Sequence, residues 1–100
     1  MTKPPERNHR ITVGEARALL AKRPQGLTTR GGHFPKDAVM AILNQVGCAG
    51  LRFYYGTNTD GSPAIVMVGM DENGADLTDG EIIDSHFPCP PFCDDDSALR

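Results

Sequence analysis

Two apolar runs separated by a short turn constrain this chain more than any other feature. Leu51 to Tyr55 alternates, placing Leu51, Phe53 and Tyr55 on one side and Arg52 and Tyr54 on the other, the two-residue period of a strand. Ala64 to Met70 is almost continuously apolar through Ile65, Val66, Met67 and Val68, which predicts a strand covered on both faces. Between them, Gly56 to Ser62 is a turn built round Asp60-Gly61. Asn73-Gly74 is the strongest two-residue hairpin signal in the chain, so a short third strand is expected at Ala75 to Leu77. Asp79-Gly80 turns the chain again, and Glu81 to Asp84 is expected to add a last strand or a single helical turn.

Two helices are expected ahead of these strands. Thr12 with Glu15 three residues on forms a capping box. Val13, Ala16, Leu19 and Leu20 then make an apolar stripe, and Pro24 and Gly26 stop the helix. Gln25 to Phe34 is expected to be a loop. Pro35 suits the first turn of the second helix, Asp37 suits its positive end, and Gly47 supplies a left-handed C-terminal residue. Val39, Ile42, Leu43 and Val46 follow the i, i+3, i+4, i+7 pattern of a buried face. The fold class is therefore α+β: two N-terminal helices packed on a three- to four-stranded antiparallel meander. Residues 1–10 read as a disordered basic arm, 11–93 as one α+β domain and 94–100 as an acidic disordered tail.

Charge is unevenly spread. The net −3 divides into +6 over residues 1–36 and −9 over residues 37–100. Such asymmetry raises nucleic acid as a partner, but no aromatic precedes Phe34 in the basic part, and nucleic acid ranks below attraction within the fold or between copies. No apolar run approaches the ~18 residues that cross a bilayer, so no membrane partner is expected. The polar first ten residues do not read as a secretory signal. The expected compartment is the cytoplasm.

The unusual chemistry is gathered near the C-terminus, in His86-Phe87-Pro88-Cys89-Pro90-Pro91-Phe92-Cys93 followed by Asp94-Asp95-Asp96. Phe87, Cys89 and Pro90 precede prolines, which pushes them to extended conformations and predicts a polyproline II rod. On such a rod His86 and Cys89 point the same way, and Cys93 with Cys48 would complete a Cys3His zinc set. Against zinc stand the lack of a second close ligand pair and the missing N–H groups of Pro90 and Pro91. A Cys89–Cys93 disulfide requires Cα atoms within about 7 Å, hence a turn or a cis proline. The first expectation is plain packing, with Phe87 and Phe92 as anchors; the Pro88 to Pro91 spacing also suits a docking tail. Elsewhere, Arg30, Gly31 and Gly32 precede a helix start and form a candidate anion site, without the Gly-Lys-Ser/Thr of a P-loop. Asp71 to Asp76 fails the calcium-loop pattern. Asp84, Ser85 and His86 are neighbours in sequence, which does not assemble a triad.

The segments Gly47-Cys48-Ala49-Gly50-Leu51-Arg52-Phe53-Tyr54-Tyr55-Gly56, Val66 to Asp76 and Pro88-Cys89-Pro90-Pro91-Phe92-Cys93 together resemble a family of small bacterial proteins of about this length. The likeness covers residues 33–93. It implies no activity, and it implies that the cysteine tail is part of a shared design. From the residues themselves, the expected role is non-enzymatic: an accessory or interaction module working through a sheet edge, the tail, or self-association with a protein partner. A zinc or thiol protein is the alternative, and anion or nucleic-acid binding through the basic part the second alternative. No resident cofactor is expected, zinc excepted.

Overall fold

The structure, a computed structural model, describes residues 4–24, 26 and 29–99. Gln25, Leu27 and Thr28 of the expected loop, the first three residues and Arg100 lie outside the described residues. In chain order the elements are α1 (Val13–Leu20), β1 (Gly31–His33), α2 (Lys36–Leu43), β2 (Gly50–Thr57), β3 (Pro63–Met70), β4 (Ile82–Ile83) and β5 (Phe87–Cys89). The chain gathers into two compact units, one built from His33–Phe87 and the other from Pro5–Gly32 with Pro88–Arg100. The class is α+β. In detail it differs from expectation, because only α2 belongs with the meander and α1 lies in the other unit.

In the first unit, β2 and β3 form an antiparallel hairpin of eight uninterrupted pairs, from Gly50↔Met70 to Thr57↔Pro63. The expected Asp60-Gly61 turn closes it. Asp60 Oδ1 accepts from the amide and hydroxyl of Ser62 at 3.0 and 2.6 Å, and Gly61 takes φ 87°, a conformation that glycine reaches without a Cβ clash. The third strand falls elsewhere than Ala75 to Leu77. Asp71 Oδ1 accepts from the amides of Asn73 and Ala75, both at 2.9 Å, and winds this segment into a tight turn. Contact with the ladder then shrinks to the Met70↔Asp76 bridge and a Leu77 amide donating to the Gly69 carbonyl. Ile82–Ile83 provides β4 instead, pairing at Met67↔Ile83 and Val68↔Ile82. The sheet order is β2-β3-β4, leaving β2 at an edge.

Helix α2 begins after Pro35, carries Asp37 in its first turn and gives way to Asn44. Gly47 is left-handed, at φ 80°, as its position suggested. The expected buried stripe is only partly realised: Ile42 is fully buried, Leu43 is exposed and Val46 is 100% exposed. The helix stops before Val46 can come round to the inner face, and Gln45 turns inward instead. Its Nε2 donates to the Ile42 carbonyl at 2.9 Å and its Oε1 accepts from the Glu81 amide at 2.8 Å. Gly69 makes room for this arrangement: a Cβ there would meet Gln45 Nε2 at 3.0 Å and Cys48 Sγ at 3.1 Å.

In the second unit, the α1 capping box forms in full. The Glu15 amide donates to Thr12 Oγ1 at 3.1 Å, and the Thr12 amide donates to Glu15 Oε1 at 3.2 Å. No residue of α1 is buried, so its apolar stripe is not a core face. Residues 4–10 form neither helix nor strand. The expected polyproline rod is replaced by a strand and a turn. β5 pairs with β1 in a two-stranded sheet, and the Arg30 amide donates to the Cys89 carbonyl at 2.7 Å. The Phe92 amide then donates back to the Pro88 carbonyl at 3.0 Å, through cis peptides at Cys89-Pro90 and Pro90-Pro91. A rod without internal hydrogen bonds yields to a ladder and a turn that supply them.

Candidate functional site

Within the first unit, strand period decides which side chains meet. Phe53 and Tyr55 share a face and contact edge to face, with ring centroids 5.5 Å apart. Tyr55 is 84% exposed, and Phe53 and Tyr54 are exposed too. On the opposite face, Arg52 Nη1 donates to Asp76 Oδ1 at 2.6 Å and to the Gly74 carbonyl at 2.9 Å. The Tyr54 hydroxyl donates to Asp76 Oδ2 at 2.5 Å. These bonds hold the Asp76 carboxyl below the usual carboxylate range, the Tyr54 hydroxyl contributing most and the Arg52 guanidinium next. The Tyr54 phenol is raised for the reciprocal reason, because ionising it would forfeit its bond to Asp76. The alternation of β2 placed Arg52 and Tyr54 together; Asp76, which joins them, carried no local signal, since β3 and the turns on either side of it separate Asp76 from β2.

The outer edge of β2 has no strand beside it among the described residues. Natural edge strands are commonly guarded by lysine, proline or a bulge. β2 has none of these: its register is continuous, and its sole charge, Arg52, is engaged by Asp76. The result is an edge whose one charge is paired, with three exposed aromatic side chains at its middle.

The second unit holds a cleft of about 700 Å³. Arg17 and Arg23 reach it from α1 and the turn that follows, and Arg30 from the residue before β1. Cys89 and Cys93 lie in its wall, joined as a disulfide with Cα atoms 4.8 Å apart. Asp94 supplies a carboxylate, and Leu20 and Leu99 supply apolar surface. Among the described residues none of the three arginines forms an ion pair.

The predicted metal ligands are dispersed in role. Cys89 and Cys93 come together, but as a disulfide, whereas zinc takes thiolates. Cys48 is a half-buried free thiol donating to the Gly50 carbonyl at 3.3 Å. The His86 ring packs against Phe34, centroids 6.1 Å apart. Among the described residues no three His, Cys, Asp or Glu side chains gather as a metal requires. Of the predicted anion site, Arg30 lines the cleft, while its amide is spent on Cys89 and Gly31 and Gly32 run as β1. Ser85 Oγ donates to Asp84 Oδ1 at 3.3 Å with no histidine relay. Sequence reasoning missed Arg17 and Arg23 as companions of Arg30; the excess of positive charge in residues 1–36 was their only signal. Among the described residues no helix is long and apolar enough to cross a membrane.

Searches of protein families, curated proteins and solved structures return no match to this chain.

Proposed function

We propose that this chain is a small interaction module that pairs the open edge of β2 with the β2 of a second copy. The observation that carries the reading is the exposed Phe53-Tyr54-Tyr55 triplet on an unguarded edge strand. Antiparallel addition of β2 to β2 is self-complementary, as a twofold interface requires. Its axis would pass near Phe53 and Tyr54, at the middle of Gly50–Thr57, where the apolar surface is concentrated. A stable interface buries about 800 Å² on each partner. That is a modest share of the 7999 Å² this chain exposes.

Light scattering coupled to size exclusion tests the reading directly. The wild-type chain is expected to run as a dimer at micromolar concentration. The double variant Phe53→Lys, Tyr55→Lys is expected to run as a monomer with unchanged far-ultraviolet circular dichroism, since lysine guards an edge without removing the strand. A wild-type chain that is monomeric at all concentrations sinks the proposal, as does a double variant that stays dimeric.

A further inference from the structure

A second site belongs to the other unit and rests on different residues. A disulfide in the wall of a cleft, beside three guanidinium groups that form no ion pair among the described residues, is chemically distinct from a disulfide that only closes a loop. Cys89 and Cys93 are both half-buried, and both line the cleft. Arg17, Arg23 and Arg30 give the cleft positive charge, which Asp94 offsets only in part. A positively charged cleft with apolar walls concentrates anions at its surface, and here the electrophile awaiting them is an S–S bond.

We infer that this cleft is a thiol–disulfide exchange site for a small anionic thiol, one that carries a carboxylate or sulfonate besides its sulfur. The arginines hold the anionic group and bring the sulfur to the bond. In the first step the thiolate of the small molecule attacks one cysteine sulfur. A mixed disulfide forms, the Cys89–Cys93 bond breaks, and its electron pair leaves as a thiolate on the other cysteine. In the second step another molecule of the thiol, as thiolate, attacks the mixed disulfide. The small molecule departs as its own symmetric disulfide, and the second cysteine is freed. Two electrons pass from the two thiols to the protein, and two protons from water complete the cysteine thiols. Run backwards, the same steps re-form the protein disulfide from the small-molecule disulfide.

The test compares three reductants of different charge on the full chain in a Cys48→Ser background, so that only Cys89 and Cys93 report. The probes are 2-mercaptoethanesulfonate, 2-mercaptoethanol and cysteamine: anionic, neutral and cationic. Each rate is read by alkylation and mass measurement, and is divided by that thiol's rate with a small uncharged disulfide at the same pH. The anionic probe is expected to outpace the cationic one by about tenfold, the lower end of electrostatic enhancement. That preference is expected to collapse at high salt and in Arg17→Gln, Arg23→Gln and Arg30→Gln combined. Rates indifferent to probe charge overturn the inference. So does a disulfide that no probe opens while the chain is folded, and so does a purified chain whose Cys89 and Cys93 stay reduced under mild oxidant. The wild-type comparison stands even where the arginine variant does not fold.

Discussion

The two compact units hold their chain by different means. Among the described residues, the unit of His33–Phe87 owns both buried apolar side chains, Ile42 and Val68, and the eight-pair ladder between β2 and β3. Among the described residues the other unit has no buried apolar residue of its own: α1 stands on its capping box and an exposed apolar stripe, and a disulfide closes a short loop, Cys89 to Cys93, within the returning tail. Small structures that cannot bury enough apolar surface commonly resort to cross-links, and both solutions coexist here within a hundred residues. The difference also assigns vulnerability. Burial fails when a side chain is truncated, whereas a cross-link fails when the solvent becomes reducing.

Truncating the buried side chain should have the largest effect. Ile42→Ala removes a fully buried side chain beneath the Gln45 knot and is expected to cost about 2–5 kcal/mol. That is a large part of the roughly 5–15 kcal/mol a small domain holds. Urea denaturation measures it; a loss smaller than a surface substitution causes would deny the first unit its burial-based core.

Opening the disulfide should cost less and should cost it locally. So short a loop contributes about 2 kcal/mol by closure entropy. In Cys89→Ser, Cys93→Ser, hydrogen exchange is expected to quicken at the amides of Arg30 and Phe92, which bond to the carbonyls of Cys89 and Pro88. Amides of the β2–β3 ladder are expected to keep their protection. Equal acceleration in the ladder would erase the contrast between the units.

The smallest effect is a pH dependence confined to the first unit. Its folded state holds Asp76 below its ordinary value through Tyr54 and Arg52. Its contribution is therefore complete above about pH 4 and is lost as pH falls through the folded value. Tyr54 runs the other way, since folding holds its phenol protonated. Its contribution is complete below about pH 10 and is lost as pH rises through the raised value. Denaturation profiles should show both limbs in wild type and a weaker acid limb in Asp76→Asn. An unchanged acid limb would show that the bonds at Asp76 do not stabilise the folded chain.

Local patterns in the sequence identified what depends on near neighbours. The capping box, the Asp60-Gly61 turn, the left-handed Gly47 and the two faces of β2 were all legible, because each is decided within a few residues by backbone sterics, short hydrogen bonds or the two-residue period. Asn73-Gly74 was legible as a reversal, and the chain does return antiparallel beside β3, but through a single bridge at Met70↔Asp76 rather than a strand over Ala75 to Leu77. The Asp71 side chain captures the Ala75 amide, which a following strand would have used, together with the Asn73 amide in the turn, and amino-acid order alone does not rank those competitors. The stripe through Val46 failed for a related reason: where a helix ends is set by what the next residues can reach, and Gln45 reaches Ile42 and Glu81.

What only the tertiary structure decided is every meeting of residues distant in sequence. Asp76 joins Arg52 and Tyr54 across 24 and 22 positions, and three arginines, from α1, the turn after it and the residue before β1, line a cleft with two cysteines near the C-terminus. Residue types and periods fix which way a side chain leaves its own backbone. Which distant group it finds there depends on chain reversals and strand pairing, and these are chosen by the free energy of the whole fold rather than by any segment within it.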